Sequence, residues 1–160
     1  MTSLPPGLVF YLDASALVKR YTVETGSEWI VGLCHSSTGH LIATARITKA
    51  EAAAAFASKC RSGGLSPTHY TQALQDLSHD FKHEYVLVEV DQALIDLAVS
   101  LTQRHKLRGY DAVQLASALT LNSVLAQSQM SPLTFVAADD DLLQAAQAEG
   151  LATDNPNWHL

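Results

Sequence analysis

Four acidic side chains, far apart in the chain, each stand where an apolar or glycine-containing stretch gives way to a helix-forming one. Asp13 follows the apolar run of residues 8–12, and Glu51 closes Ile47-Thr48-Lys49-Ala50-Glu51. Asp111 closes Arg108-Gly109-Tyr110-Asp111, and Asp139 follows the run of residues 134–138. A cluster of oxygen donors suits a hard divalent cation such as Mg²⁺ or Mn²⁺. Such an ion polarises a phosphate, lowers the pKa of water and stabilises a leaving oxygen. If the four acids converge, the chemistry they imply is metal-assisted cleavage of a phosphodiester. In an open α/β sheet, convergence happens in the crevice outside the carboxyl ends of the strands.

The elements needed for that are legible. Residues 8–12 form a short continuous apolar run, the pattern of a strand buried on both faces. Helices are predicted over 14–21 and 26–34, then a strand over 40–44. The alanine-rich stretch 47–60 predicts a helix that stops near Gly63-Gly64. Ser66-Pro67 has the arrangement of a cap and first residue for a helix to residue 83. Residues 85–90 predict a strand, and Asp91 caps a helix with Leu94, Leu97, Ala98 and Leu101 on one face. Gly109 is read as a break before the helix marked by Ala112, Leu115, Ala116 and Leu119. A strand over 133–137, a helix over 140–149 capped by Gly150 and a short strand over 151–153 follow. The end from residue 155 reads as irregular. Alternating strands and helices predict a three-layer α/β/α sandwich with a mainly parallel central sheet, in one domain spanning 1–160.

Each acid also has a purely local explanation. Asp13 has the setting of an N-cap, and Thr48-Lys49-Ala50-Glu51 matches a capping box, in which the glutamate returns to the Thr48 backbone N–H. Asp111 suits a helix start through the macrodipole, and Asp139, Asp140 and Asp141 suit a cap and first turn. Against this, Asp13 and Asp139 leave two buried strands, so both are expected at one edge of the sheet. Clustered carboxylates repel one another unless a cation or proton intervenes.

Composition bounds the reading. At 160 residues and 48% hydrophobic, the chain has the size and make-up of a globular domain, and no apolar run approaches the ~20 residues that span a bilayer. The amino-terminal segment lacks a basic stretch followed by a long apolar one, and with only two cysteines the expected setting is the cytosol. Cys34 and Cys60 are expected to be small, partly buried thiols. The net charge of −6 opposes a general nucleic-acid binder, an objection that bound divalent cations would weaken. Arg104, Lys106 and Arg108 precede Asp111 and are either phosphate contacts or a solvated helix end favoured by the dipole. His79 and His83 share the spacing of zinc ligands but have no third ligand, so a solvated helix end is expected. Trp29 and Trp158 are expected to pack rather than to stack on bases.

The ordered motifs resemble a known family. Leu12-Asp13-Ala14-Ser15-Ala16-Leu17-Val18-Lys19-Arg20-Tyr21 resembles the opening of PIN-domain proteins, in particular the VapC-type toxins of toxin–antitoxin pairs. Arg108-Gly109-Tyr110-Asp111-Ala112-Val113-Gln114-Leu115-Ala116 resembles their third acidic motif, and Phe135-Val136-Ala137-Ala138-Asp139-Asp140-Asp141-Leu142-Leu143 the fourth. The resemblance implies an α/β/α sandwich and Mg²⁺- or Mn²⁺-dependent endoribonuclease activity. It implies Asp13, Glu51, Asp111 and Asp139 as the metal site, with Ser15 alongside, and homodimers inhibited by a cognate antitoxin. Three consecutive acids at the fourth motif leave Asp139 alone, or Asp139 with Asp141, as the final ligand, and Asp140 is expected to face solvent. Alternatives are an inert PIN-like module that binds RNA or protein, and an aspartyl phosphatase with Asp13 as nucleophile. Phe56, Leu65, Leu74, Leu77 and Phe81 are expected to lend part of their surface to a second subunit or an antitoxin.

Overall fold

Neighbouring residues of one strand feed opposite layers of the molecule. In the computed structural model, which describes residues 7–160, Val9 and Tyr11 of strand β1 (Val9–Leu12) enter one apolar cluster, and Phe10 and Leu12 enter another. Side chains alternate across a strand, so a strand buried at every position must lie between two helical layers. The reading of the amino-terminal segment as lacking a leader falls on residues 1–6, outside the described residues.

Strand β1 is flanked by β2 (Leu41–Ala45) and β4 (Thr134–Val136); β3 (Val86–Val88) lies beyond β2, and β5 (Ala152–Asp154) beyond β4. Every pairing is parallel, in the order β3-β2-β1-β4-β5. One face carries α5 (Gln92–Arg104), α6 (Gly109–Gln127) and α7 (Asp140–Ala148), through Leu94, Leu101, Leu115 and Leu142. The other carries α1 (Ala14–Leu17), α2 (Ser27–Leu33), α3 (Thr48–Arg61) and α4 (Pro67–His83), through Leu17, Ile30, Phe56 and Leu77. This is the predicted α/β/α sandwich. The chain travels outward from β1 to β3, then returns to the far side of β1 for β4 and β5. The direction of winding therefore reverses between β1 and β4, the position where such sheets open a ligand crevice.

Four expectations are corrected. The helix over 14–21 is split: α1 has four residues and passes into a 3₁₀ turn, Val18–Arg20, with the amides of Tyr21 and Thr22 both donating to the Val18 carbonyl. The Thr22 hydroxyl competes for the same oxygen, at 3.1 Å, which closes the turn early. Gly109 is the first residue of α6 rather than a break, because Arg108 already holds the extended cap conformation. The end is not irregular throughout, since Pro156–Trp158 form a 3₁₀ turn capped by Asn155. Of the five apolar side chains offered to a partner, three are taken up wholly by the chain's own core and two only in part. Phe56, Leu77 and Phe81 are buried in the second cluster, and Leu65 and Leu74 pack against it.

The last turn also explains a glycine. Gly26 precedes α2 with φ +85°, and a Cβ there would lie 2.6 Å from the Pro156 carbonyl oxygen. Gly63 has φ +83° with open space around it. A left-handed conformation alone costs an L-residue roughly 1–2 kcal/mol. Gly26→Ala is therefore expected to destabilise by more than Gly63→Ala, because backbone must also shift. Chemical denaturation of the two variants checks this, and equal costs would refute the packing account.

Both cysteines are free, Cys34 buried and Cys60 half-buried, as expected. Among the described residues no helix is long and apolar enough to cross a membrane.

Candidate metal centre

Asp13 is the first residue beyond β1, and its backbone N–H donates to the Val136 carbonyl of β4 at 3.1 Å. The strand ends are joined again by Ser15, whose hydroxyl donates to Asp13 Oδ1 at 2.7 Å and accepts from the Ala138 N–H at 2.9 Å. One hydroxyl thus sets the Asp13 carboxylate against the strand that delivers Asp139. Asp13 Oδ1 also accepts from the Ala16 N–H at 3.0 Å. The capping explanation is correct for this residue, and it accounts for only one oxygen.

Asp139 is likewise a cap, accepting from the amides of Asp141 and Leu142 at 2.9 and 3.3 Å. Glu51 is not. Ile47 occupies the cap position of α3 without a side-chain bond, and Thr48 is already helical. Glu51 Oε1 instead accepts from Gln114 Nε2 at 2.8 Å. Gln114 lies in α6, three residues beyond Asp111, so the first turn of α3 and the second turn of α6 meet through it.

Charge links the four acids in pairs: Asp13 with Glu51 and Asp111, Glu51 with Asp111, and Asp111 with Asp139. Burial pushes the Asp13 carboxyl up to about 7; the Ser15 and Ala16 hydrogen bonds oppose this, while Asp111 and Glu51 add to it. Burial also raises Glu51, partly offset by the Gln114 bond and reinforced by Asp111. Asp111 is raised by burial and by Asp139, with Arg108 pulling it down. Each acid senses the next, as expected of like charges sharing one crevice. The carboxylates are nevertheless spread: among the described residues, the group whose ligand atoms all lie within 4.8 Å of one another is His79, Asp80 and Glu84.

That tighter group stands where α4 leads into β3, at the opposite edge of the sheet from the acids. Asp80 there is already held by the Tyr21 hydroxyl at 2.7 Å and by Arg20 Nη1 at 3.3 Å. His79 and His83 are exposed, as a solvated helix end should be. The network of Arg20, Tyr21, Asp80 and Tyr85 pins the end of α4 to the turn after α1. No short-range spacing signals it, since its members are 59 to 65 residues apart.

Half of the ten Lys and Arg residues are paired with carboxylates, Arg20 with Asp80 among them. Lys19 and Lys59 both bind Glu24, Arg46 binds Glu89, and Arg104 grips Glu149 with Nη2 at 2.8 Å. Arg104, Lys106 and Asp141 line a cavity of about 520 Å³ beside the start of α7. Arg108 lies over the Tyr110 ring at 5.9 Å and donates to its hydroxyl. Asp140 is exposed but holds the Asn155 amide at 3.0 Å. Trp29 packs flat on His159 at 4.1 Å, as expected, whereas Trp158 is 59% exposed.

No family model matches the chain. Two curated proteins do, ribonuclease VapC45 and ribonuclease VapC49, from two strains of Mycobacterium tuberculosis. Each is 37% identical over 111 residues, covering 69% of this chain and 75% of the relative. The chain belongs to the VapC ribonuclease family. Solved VapC structures share the fold at low identity. VapBC2 from Rickettsia felis, bound to a DNA fragment from its promoter, superposes with a TM-score of 0.61 at 12% identity, over 92% of this chain and 98% of that one. VapC20 from Mycobacterium tuberculosis, a toxin that cleaves the sarcin–ricin loop, gives 0.58 at 16% identity, over 89% and 96%. VapC membership, a PIN-like sandwich and hydrolytic ribonuclease chemistry therefore go together here, and the aspartyl phosphatase alternative is set aside.

The donor set fits a hard cation. Every candidate ligand is a carboxylate or hydroxyl oxygen, and among the described residues Arg108 is the cation whose charge offsets Asp111.

Proposed function

We propose that this VapC-family chain is a toxin endoribonuclease that hydrolyses RNA phosphodiester bonds with water activated at Asp13, Glu51, Asp111 and Asp139. The observation that carries the reading is the buried Asp13 carboxyl at the switch point of the sheet, raised to about 7 with Asp111 and Glu51 adding to the shift. Carboxylates clustered in this way call for a cation. Mg²⁺ or Mn²⁺ held by these four acids, with Asp141 as a further candidate ligand, would supply the charge that polarises the phosphate and acidifies water.

The chain's own residues do the rest. Ser15 orients Asp13 and fixes the spacing of β1 and β4. Arg108 places a guanidinium beside Asp111, where it can meet a phosphate oxygen. The cavity at Arg104 and Lys106 offers a path for the flanking strand. Arg104 keeps its position through Glu149, so Lys106 and Arg108 are the better phosphate contacts.

A cognate antitoxin and a second copy of the chain complete the reading. The fold neighbour from Rickettsia felis is a VapBC assembly, and Ile95 and Val99, four apart on α5, are exposed apolar residues suited to an interface. The purified chain is expected to cleave RNA in Mg²⁺ or Mn²⁺ and to stop in excess chelator. Undiminished cleavage in chelator would overturn the metal mechanism, and no cleavage with either ion would favour the inert module.

A further inference from the structure

Asp111 and Gln114 lie three residues apart on α6 and so share one face of the helix. Asp111 stands at the rim of the crevice, and Gln114 lies one turn deeper, only 1% exposed. A primary amide has two N–H donors and one carbonyl oxygen. Gln114 Nε2 donates to Thr48 Oγ1 at 2.9 Å and to Glu51 Oε1 at 2.8 Å, while its Oε1 accepts from the Tyr11 hydroxyl at 2.6 Å.

The two ends of this amide are not interchangeable. Reversed, its carbonyl would oppose the Glu51 carboxylate, acceptor against acceptor. Tyr11 prevents that, because its buried hydroxyl donates to the carbonyl and its ring is fixed by stacking on Phe135 at 5.7 Å. The order of contacts is therefore Phe135, Tyr11, Gln114, Glu51, running from the sheet to the crevice. Glu51 lies in the first turn of α3, where no capping bond restrains its side chain.

We propose that Gln114 is a positioning residue, which holds the Glu51 carboxylate at the metal centre through an amide oriented by Tyr11. This rests on the four-acid reading given above. Partners behind a metal ligand typically matter by about 10–100-fold in affinity or activity.

Mn²⁺ titration of the full chain by calorimetry, without RNA, tests it alongside cleavage kinetics. Gln114→Met keeps the length of the side chain and removes its polar atoms. The expected result is Mn²⁺ binding weakened by about 10–100-fold, with kcat reduced and the KM for RNA little changed. Because the contact acts through Glu51, Gln114→Met added to Glu51→Gln is expected to weaken Mn²⁺ binding no further than Glu51→Gln alone. Unchanged Mn²⁺ binding by Gln114→Met, or full additivity in that cycle, overturns the proposal. Should orphaned Tyr11 and Thr48 hydroxyls unfold Gln114→Met, Tyr11→Phe reads the same chain of contacts. It keeps the ring and frees the amide to turn, so weaker Mn²⁺ binding supports the proposal and unchanged binding overturns it. A wild type that binds no Mn²⁺ overturns the metal centre too, whereas a wild type that binds beside an equally competent Gln114→Met overturns the positioning role alone.

Discussion

Asp13→Asn is expected to lose RNA cleavage by roughly 10²-fold or more while leaving the metal-free protein as stable as the wild type, or more so. The two halves of that result arise from different atoms. Asparagine keeps the oxygen that accepts from Ala16 and Ser15, and it caps a helix about as well as aspartate. It removes the charge that Asp111 and Glu51 oppose. Asp139→Asn follows the same logic, keeping the acceptor for the Asp141 and Leu142 amides and relieving Asp111. Thermal melts separate the roles. A cation at 100 times its dissociation constant adds about 2.7 kcal/mol to the folded state, so the wild type is expected to gain stability in Mn²⁺ and both variants to gain little. A wild type indifferent to Mn²⁺, with fully active variants, would leave these residues as caps and nothing more.

What the sequence discloses depends on how local each signal is. The run before Asp13 is apolar at every position and that before Asp139 at every position but Thr134, because each strand has a helical layer on both sides, and burial of that kind leaves a clear local trace. The parallel sheet follows from the alternation of such runs with helices. Thr48-Lys49-Ala50-Glu51 shows the opposite case. Its spacing fits a capping box, yet the helix begins one residue earlier and Glu51 turns to a partner 63 residues away. A motif of four residues cannot register a competitor supplied by tertiary structure. Gln114 escapes notice for the same reason: within α6 it is one more helical residue, and its meaning lies in Tyr11, Thr48 and Glu51. The splitting of the helix after Asp13 is of this type too. Lys19, buried against Glu24 and the Thr25 carbonyl, belongs to a turn that helix propensity alone does not reveal. The apolar face of α4 marks burial correctly without saying whether the cover is the chain's own or a partner's.

Stability against pH reads the crevice without RNA or metal. In its usual state a carboxyl such as Asp13 titrates at 3.8, and in the folded chain burial moves it up to about 7. Between those values the folded protein holds a proton that the unfolded chain has released. Stability therefore falls as pH rises across that window, and the deficit is complete above pH 7. A tenfold difference in proton affinity between the two states corresponds to about 1.36 kcal/mol, so the effect is on the order of a few kcal/mol. Glu51 and Asp111, also raised, act in the same direction. Glu24 and Glu149, held low by their cationic partners, lose their contribution only below the ordinary glutamate range. His40, lowered by burial, acts with the opposite sign, but it is common to wild type and variant. The informative quantity is thus the wild-type stability minus that of Asp13→Asn, measured by denaturant unfolding in chelator from pH 5 to pH 8. That difference is expected to fall from pH 5 to about pH 7 and then to level off. In saturating Mn²⁺ the trend should vanish, because the cation displaces the proton and leaves the folded and unfolded carboxylates equally ionised. A difference that stays flat from pH 5 to pH 8 in chelator would mean that Asp13 is ionised throughout, and that the crevice does not need the positive charge assigned to it.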